Sequence, residues 1–377
     1  MALHARRRAG MALMTVMAAI AGSAAAGATE PQGFLETLHH QTTLASSVPD
    51  NGDQNPYAVV VAPVSAGLIH KDDVLVTNFN DDANLQGRGT TIVLWRPGSR
   101  QTTVFAKLPR QLAGCPGGVG LGTAMVMLKT GWVIVGSTPS RDGTTATLGA
   151  GCLVVIDPSG TPVGALGGAH VDGPWGNMAW IDRGATATLF VSNAGIDVGA
   201  PADDAPVVNK ANVLRLELAI PDGQPPHVTA QTVVADGLGE QADKGVFLIG
   251  PTGLALAPDG TLYVSDAIGN RITAVADAPT RGDSAGAGRE VTRDGFLKRP
   301  LAMAMAPNGH LLVTNGLNGE VVEIDPASGR QLYGRWIDTD RAQTPPGNGD
   351  LFGLAMTPSG DGVYFVEDDV NTLVLTK

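Results

Sequence analysis

Cysteine is almost absent from this 377-residue chain: Cys115 and Cys152 are the only two, and no CxxC pair occurs. That excludes a dithiol redox motif and a cysteine-rich zinc site. Histidine is sparse as well, seven scattered residues without an HExxH pair, so a zinc hydrolase motif is missing. No GxSxG elbow is present, and the Gly-rich run at 115–122 lacks the Lys and helix start of a phosphate loop. The run at 237–245 is too irregular for a dinucleotide fingerprint. Only 16% of residues are charged, with an excess of acids that gives a net charge of -11. Nucleic acid and anionic membrane surfaces are therefore poor partners, whereas cations or basic partners are attracted. Beyond the first thirty residues no stretch resembles a membrane span, and none carries a long 3.6-residue apolar period with caps.

What is abundant is Gly, 50 residues, and Pro, 25, set among alternating Val, Leu, Ile and Thr runs. Many turns between many short strands follow, an all-β pattern. The N-terminus is separate in character. Arg6, Arg7 and Arg8 precede an apolar stretch at 9–21 and small residues at 23–28, the order of a signal peptide covering 1–28. Its removal takes away three arginines and no acid, leaving a mature chain of -14 in the periplasm or medium. In such an oxidising compartment Cys115 and Cys152 are expected to pair; two free buried thiols are the other reading.

The chain repeats itself. PTGLALAPDGTLYVSD at 251–266, PLAMAMAPNGHLLVTN at 300–315 and LFGLAMTPSGDGVYFVE at 351–367 share one grammar. An apolar strand meets a Pro-x-Gly turn, and a second strand ends in a hydroxyl or apolar residue followed by Asp, Asn or Glu. Weaker copies at 74–78, 132–137 and 189–193 extend the series, so the strand-end marker recurs at Asn78, Ser137, Asn193, Asp266, Asn315 and Glu367. A third strand follows each marker, at 90–95, 152–157, 212–218, 271–277, 320–325 and 371–376. Outer strands fit 102–108, 162–166, 230–236, 289–292 and 331–337. The sixth outer strand is missing at the C-terminus, but HHQTTLAS at 39–46 precedes the first inner strand at 57–63. These repeats predict one domain over 29–377, a six-bladed β-propeller of four-stranded antiparallel blades, closed by an N-terminal strand that completes the last blade. A monomer is expected. Five tryptophans are too few, and misplaced, for the blade signature of a quinone-dependent dehydrogenase.

The segment GPTGLALAPDGTLYVSDAIGNRITAV at 250–275 resembles the NHL repeat, and the whole chain resembles the broader group of NHL and lactonase-like six-bladed propellers. That resemblance implies a central channel with loops gathered on one face. It does not imply one activity, because the group includes calcium-dependent lactonases, lyases and modules that only bind. The metal-dependent lactonases gather one Glu with Asn and Asp around an axial divalent metal. Asn177 matches the Asn of that pattern, but the equivalent positions in the clearest repeats are Gly253, Ala302 and Gly353, and no acid opens the first inner strand.

Two roles stand open for the markers. Asn78, Asn193, Asp266, Asn315 and Glu367, with Asn177, offer oxygen donors that, if they converge, suit Ca²⁺ or another divalent cation. Alternatively, each accepts hydrogen bonds from its own turn, as a repeated position in a repeated backbone would. In 167–180, His170 and Asp172 are candidates for a general base pair or for plain polar loop residues, and Trp175 and Trp180 for a stacking floor. Long loops at 79–89, 138–151 and 194–211, bearing Asp81, Asp82, Asp197, Asp203 and Asp204, predict an acidic recognition surface. The expected function is capture of a small molecule or protein on the loop-rich face, with a divalent-metal-dependent, lactonase-like hydrolase as the alternative.

Overall fold

A computed structural model describes residues 33–167 and 170–377; the expected signal segment lies outside the described residues. The chain builds six sheets in sequence order. Blade one holds β2 (Gln54–Val61), β3 (Val74–Asn80), β4 (Thr91–Trp95) and β5 (Thr102–Lys107). Blade two holds β6 (Leu121–Met127), β7 (Val133–Ser137), β8 (Cys152–Ile156) and β9 (Pro162–Leu166). Blade three holds β10 (Ala179–Asp182), β11 (Thr186–Asn193), β12 (Val208–Ala219) and β13 (His227–Asp243), extended by a short β14 (Phe247–Ile249). Blade four holds β15 (Pro251–Leu256), β16 (Leu262–Asp266), β17 (Arg271–Val275) and β18 (Arg289–Arg293). Blade five holds β19 (Pro300–Met305), β20 (Leu311–Asn315), β21 (Glu320–Asp325) and β22 (Arg330–Trp336). Blade six holds β23 (Leu351–Met356), β24 (Val363–Glu367) and β25 (Thr372–Thr376), and β1 (Gln41–Ser46) pairs antiparallel with β25. The expected propeller and its N-terminal closure are what the structure contains. Helix among the described residues is confined to two single 3-10 turns, and no helix is long and apolar enough to cross a membrane.

Alternating side chains make each blade apolar on both faces, so each must be covered by two neighbours. The core accordingly divides into six clusters, one per seam. Ile134, Leu153, Leu189 and Leu216 fill the seam between blades two and three; Ala45, Val59, Tyr364 and Leu373 fill that between six and one. Inner strands approach closely at these seams. A Cβ on Gly253 would stand 2.2 Å from the Leu301 carbonyl, and one on Gly353 would stand 2.0 Å from the Tyr57 carbonyl. The hydroxyl that precedes the strand-end marker bridges the same gap. Ser265 Oγ accepts from the Gly253 N–H (2.6 Å) and donates to the Leu301 carbonyl of the next blade (2.7 Å). Thr77 donates to Gly122 O (3.3 Å) and Thr314 to Phe352 O (3.2 Å) in the same way.

Closure extends past the expected strand. The Phe34 and Leu35 N–H groups each donate to the buried Glu323 carboxylate of blade five at 2.8 Å, so residues 33–38 bind the blade next to the one that β1 completes. Cys115 and Cys152 form the expected disulfide, tying the approach to β6 to the start of β8. Ser265→Ala should therefore strand an N–H and a carbonyl at a seam and lower unfolding free energy by about 2 kcal/mol. Urea denaturation checks this, with Thr130→Ala on an exposed turn as the unaffected control.

Candidate functional site

Inner strands begin, and second strands end, on the loop face. There five rings meet: Tyr57 and Phe79 of blade one, Trp175 and Phe247 of blade three, and Phe352 of blade six. Tyr57 stacks on Phe352 with centroids 4.3 Å apart and lies 5.9 Å from Trp175, while Phe79 lies 5.6 Å from Trp175 and 5.5 Å from Phe247. Blades one and three are not neighbours, so rings from both can touch only on the propeller axis. The axis is closed at this level by an aromatic plug. Phe247 reaches it through an unusual route. β12 and β13 run well beyond the expected 212–218 and 230–236, and the stretch 237–243 is strand instead of an irregular loop. The resulting β13–β14 hairpin turns at Lys244–Val246 and holds Phe247 at φ +67°, a left-handed conformation rare for a bulky residue.

A cavity of about 380 Å³ opens above the plug. Tyr57, Phe79 and Phe352 form its floor; Asn55, Asp243, Arg299, Asn348, Asp350 and Asp368 stand in its walls. Arg299 occupies a left-handed position (φ +59°) between blades four and five. Its guanidinium is largely buried, and its nearest acidic oxygen, Asp243 Oδ2, is 3.9 Å away, beyond hydrogen-bond range. Burial lowers its pKa. The carboxyl groups opposite are shifted the other way: burial, then Asp369, Asp338 and Asp368, pushes Asp350 up to about 8, and burial, then Asp369, pushes Asp368 up to about 7.

The six marker residues do not meet on the axis. Asp266 accepts from Gly269 N–H (2.8 Å) and pairs with Arg271 (2.8 Å); Asn315 accepts from Lys298 N–H (2.9 Å) and donates to Phe296 O (2.9 Å). Asn78 donates to Ser47 O (2.8 Å), Asn193 to Asn212 (3.2 Å), and Glu367 accepts from Thr372 (3.1 Å). Asn78 and Asn193 each keep one buried Oδ1 without a partner. Asn177 does lie in the channel, where it braces the ring. Its amide donates to Leu254 O (2.9 Å) and Met303 O (3.2 Å) and accepts from Met303 N–H (3.1 Å), joining blade three to blades four and five. Rings take up the loop-face end of the axis, and the Asn177 amide already makes three hydrogen bonds to backbone groups, so these residues do not form an open axial ligand shell.

His170 and Asp172 are exposed, line neither axial cavity, and share no hydrogen bond among the described residues. Trp175 belongs to the plug, whereas Trp180 is exposed at a second cavity of about 320 Å³ further along the inner strands. That cavity is apolar, walled by Met125, Met178, Met303, Met305 and Met356. The long loops carry less free acid than their composition suggests. Asp81 is buried against Arg88, Asp197 pairs with Lys210 (2.5 Å) and Asp203 with Lys244 (2.7 Å), leaving Asp82 and Asp204 exposed and unpaired.

No protein-family model matches the chain, and no curated protein matches its sequence. Solved structures do share its fold. A gluconolactonase from Xanthomonas campestris is 16% identical over 89% of this chain and 88% of its own, with a TM-score of 0.52. The calcium-binding protein regucalcin from Agrobacterium tumefaciens is 14% identical over 88% and 93%, at 0.50. A PQQ-bound aldose sugar dehydrogenase from Streptomyces coelicolor is 16% identical over 89% and 97%, at 0.52. At such identities the likeness establishes the propeller fold and nothing finer.

Glu240 on β13 bolts the loop after β11 in place by accepting the Gly195 and Ile196 N–H groups. Burial, opposed by those two bonds, pushes its pKa up to about 7. A carboxyl with a raised native pKa holds its proton more tightly folded than unfolded, so stability is greatest below the ordinary carboxylate range and falls as pH rises through about 7. Glu240→Gln should flatten that fall by about 2 kcal/mol between pH 5 and 8, read from denaturation midpoints at each pH.

Proposed function

We propose that this protein is an exported lactonase-like propeller that captures a small, oxygen-rich organic acid, or its lactone, in the loop-face cavity. One observation carries the reading: the Arg299 guanidinium stands in that cavity largely buried and without a hydrogen bond, over an aromatic floor. A half-buried guanidinium whose ion pair to Asp243 is too long for a hydrogen bond leaves donors that a ligand can complete, and a planar fork of donors matches a carboxylate. Tyr57 and Phe352 offer a flat apolar surface for a ring, and Asn55, Asn348 and Asp243 offer partners for hydroxyl groups. Two of the fold neighbours, the gluconolactonase and the aldose dehydrogenase, are named for sugar substrates, in keeping with that ligand class. The disulfide and the N-terminal segment support the exported location.

Turnover is the second reading, favoured by the Asp350 and Asp368 carboxyl groups that line the same cavity as Arg299. One of them would accept a proton from the attacking water while Arg299 holds the oxyanion that forms on the lactone carbonyl, and would return that proton to the ring oxygen as the ring C–O bond breaks and the carbonyl re-forms. The NHL label itself is carried only by the repeat grammar at 250–275.

Calorimetry with gluconate and a panel of hydroxy acids tests the reading, with lactone hydrolysis followed in parallel by acid release. Arg299→Ala is expected to weaken binding at least tenfold and Arg299→Lys to recover part of it. Equal binding by the three proteins, or no ligand in the panel, would contradict the proposal. Acid release lost in Asp368→Asn would favour turnover over capture.

A further inference from the structure

A second feature stands beside this cavity and does not depend on what the cavity holds. The connection from blade five to blade six, 338–350, begins with Asp338 and Asp340 and ends with Asp350, and it lies against the β24–β25 turn that carries Asp369. Oxygen atoms of Asp338, Asp350 and Asp369 all lie within 4.8 Å of one another. Asp338 and Asp350 are only 4% and 5% exposed. Among the described residues, no Lys, Arg or His forms an ion pair with any of the three.

The Asp338 and Asp350 carboxyl groups meet each other, and Asp369 meets Asp340 and Gln343, but these contacts bring no positive charge to the cluster. Asp338 Oδ1 accepts from the Asp340 N–H (2.9 Å), which shapes the turn, but its Oδ2 is buried and unpartnered. Asp350 Oδ2 and the Gln343 Oε1 of the same loop are likewise buried without partners. Gln343 and Asp369 are neighbours, since the Gln343 side chain acts on the Asp369 carboxyl. Three orphaned acceptors and a cluster of acids call for a positive charge that the chain does not supply. All the donors are oxygens, which selects a hard cation over zinc or copper. A spread of up to 4.8 Å is also what two oxygens on opposite sides of Ca²⁺ would show, given Ca–O distances of roughly 2.3–2.6 Å.

We infer that Asp338, Asp350 and Asp369, with the Gln343 side-chain oxygen, form an off-axis calcium site that pins loop 338–350 to blade six. The site differs from an axial one in every residue. Because Asn348 and Asp350 also line the loop-face cavity, the bound ion fixes one of its walls. The loop contains a single tryptic site, exposed Arg341, which gives a local readout of pinning.

The experiment uses the full mature protein treated with EDTA and then dialysed free of it. Calorimetric titration with CaCl₂ should show one site per chain, and Ca²⁺ should slow tryptic cleavage after Arg341 at least tenfold. Asp369→Asn, on an exposed residue whose loss leaves the core intact, should weaken Ca²⁺ binding at least tenfold and remove the protection. Asp283→Asn, an exposed acid elsewhere, should change neither. No heat of binding together with equal cleavage in Ca²⁺ and EDTA overturns the site. Full binding by Asp369→Asn overturns the residue assignment, and equal protection by Mg²⁺ at the same concentration overturns the assignment of calcium.

Discussion

The backbones of neighbouring inner strands pass so close at the blade seams that glycine alone fits at Gly253 and Gly353, and at the Gly253 seam the Ser265 hydroxyl closes the gap from the strand behind. The rest of the molecule follows from this contact. A blade whose inner strand is shaped to meet the next carbonyl cannot stop at a free edge, so the sixth must meet the first. The N-terminal β1 and the Glu323 clamp hold that last seam shut, since β1 supplies the fourth strand of blade six.

Ring closure also decides what happens at the centre. Six inner strands converge on a column that must be filled or wetted, and this chain fills it with aromatic rings at the loop face and methionines beyond, braced by Asn177. Packing of that kind puts aromatic carbon on the axis at the loop face and an apolar-walled cavity beyond it. Polar chemistry is displaced upward and outward, to Arg299 above the plug and to the carboxylates at the blade-six rim. The fold is thus shared with the solved propellers, and what the centre of the channel does is set by this chain's own residues.

The architecture was legible because it repeats. Pro-x-Gly turns, the hydroxyl-acid strand ends and the stray strand at 39–46 were enough to count six blades and to close them, and both cysteines were correctly paired. The strand-end markers illustrate the limit of that signal: periodicity located Asp266 and Asn315, and their partners in the structure are the turns that periodicity implies. The site was illegible for the opposite reason. Tyr57, Trp175 and Phe352 each follow the residue that pairs with their blade's strand-end marker, a shared position that the variable sequence there disguises, whereas Phe79 and Phe247 come from elsewhere, and only the closed ring brings the five together. Arg299 carries no motif in the sequence, and the absence of a hydrogen-bond partner for its guanidinium is a property of space. Extension of β12 and β13 past the face was hidden by a glycine-rich stretch, 237–245, that reads as loop. The acid cluster left a faint trace, Asp338 and Asp340 in one loop and Asp368 and Asp369 in another, but their adjacency required the blade-five to blade-six seam.

The central claim is that the axis is packed with rings and that any tightly held cation sits off it. Anomalous diffraction from a crystal grown with a lanthanide in place of calcium tests this most directly. The account predicts a peak bounded by Asp338, Asp350 and Asp369 and continuous ring density among Tyr57, Trp175 and Phe247. A peak on the axis, with those rings displaced, would contradict it.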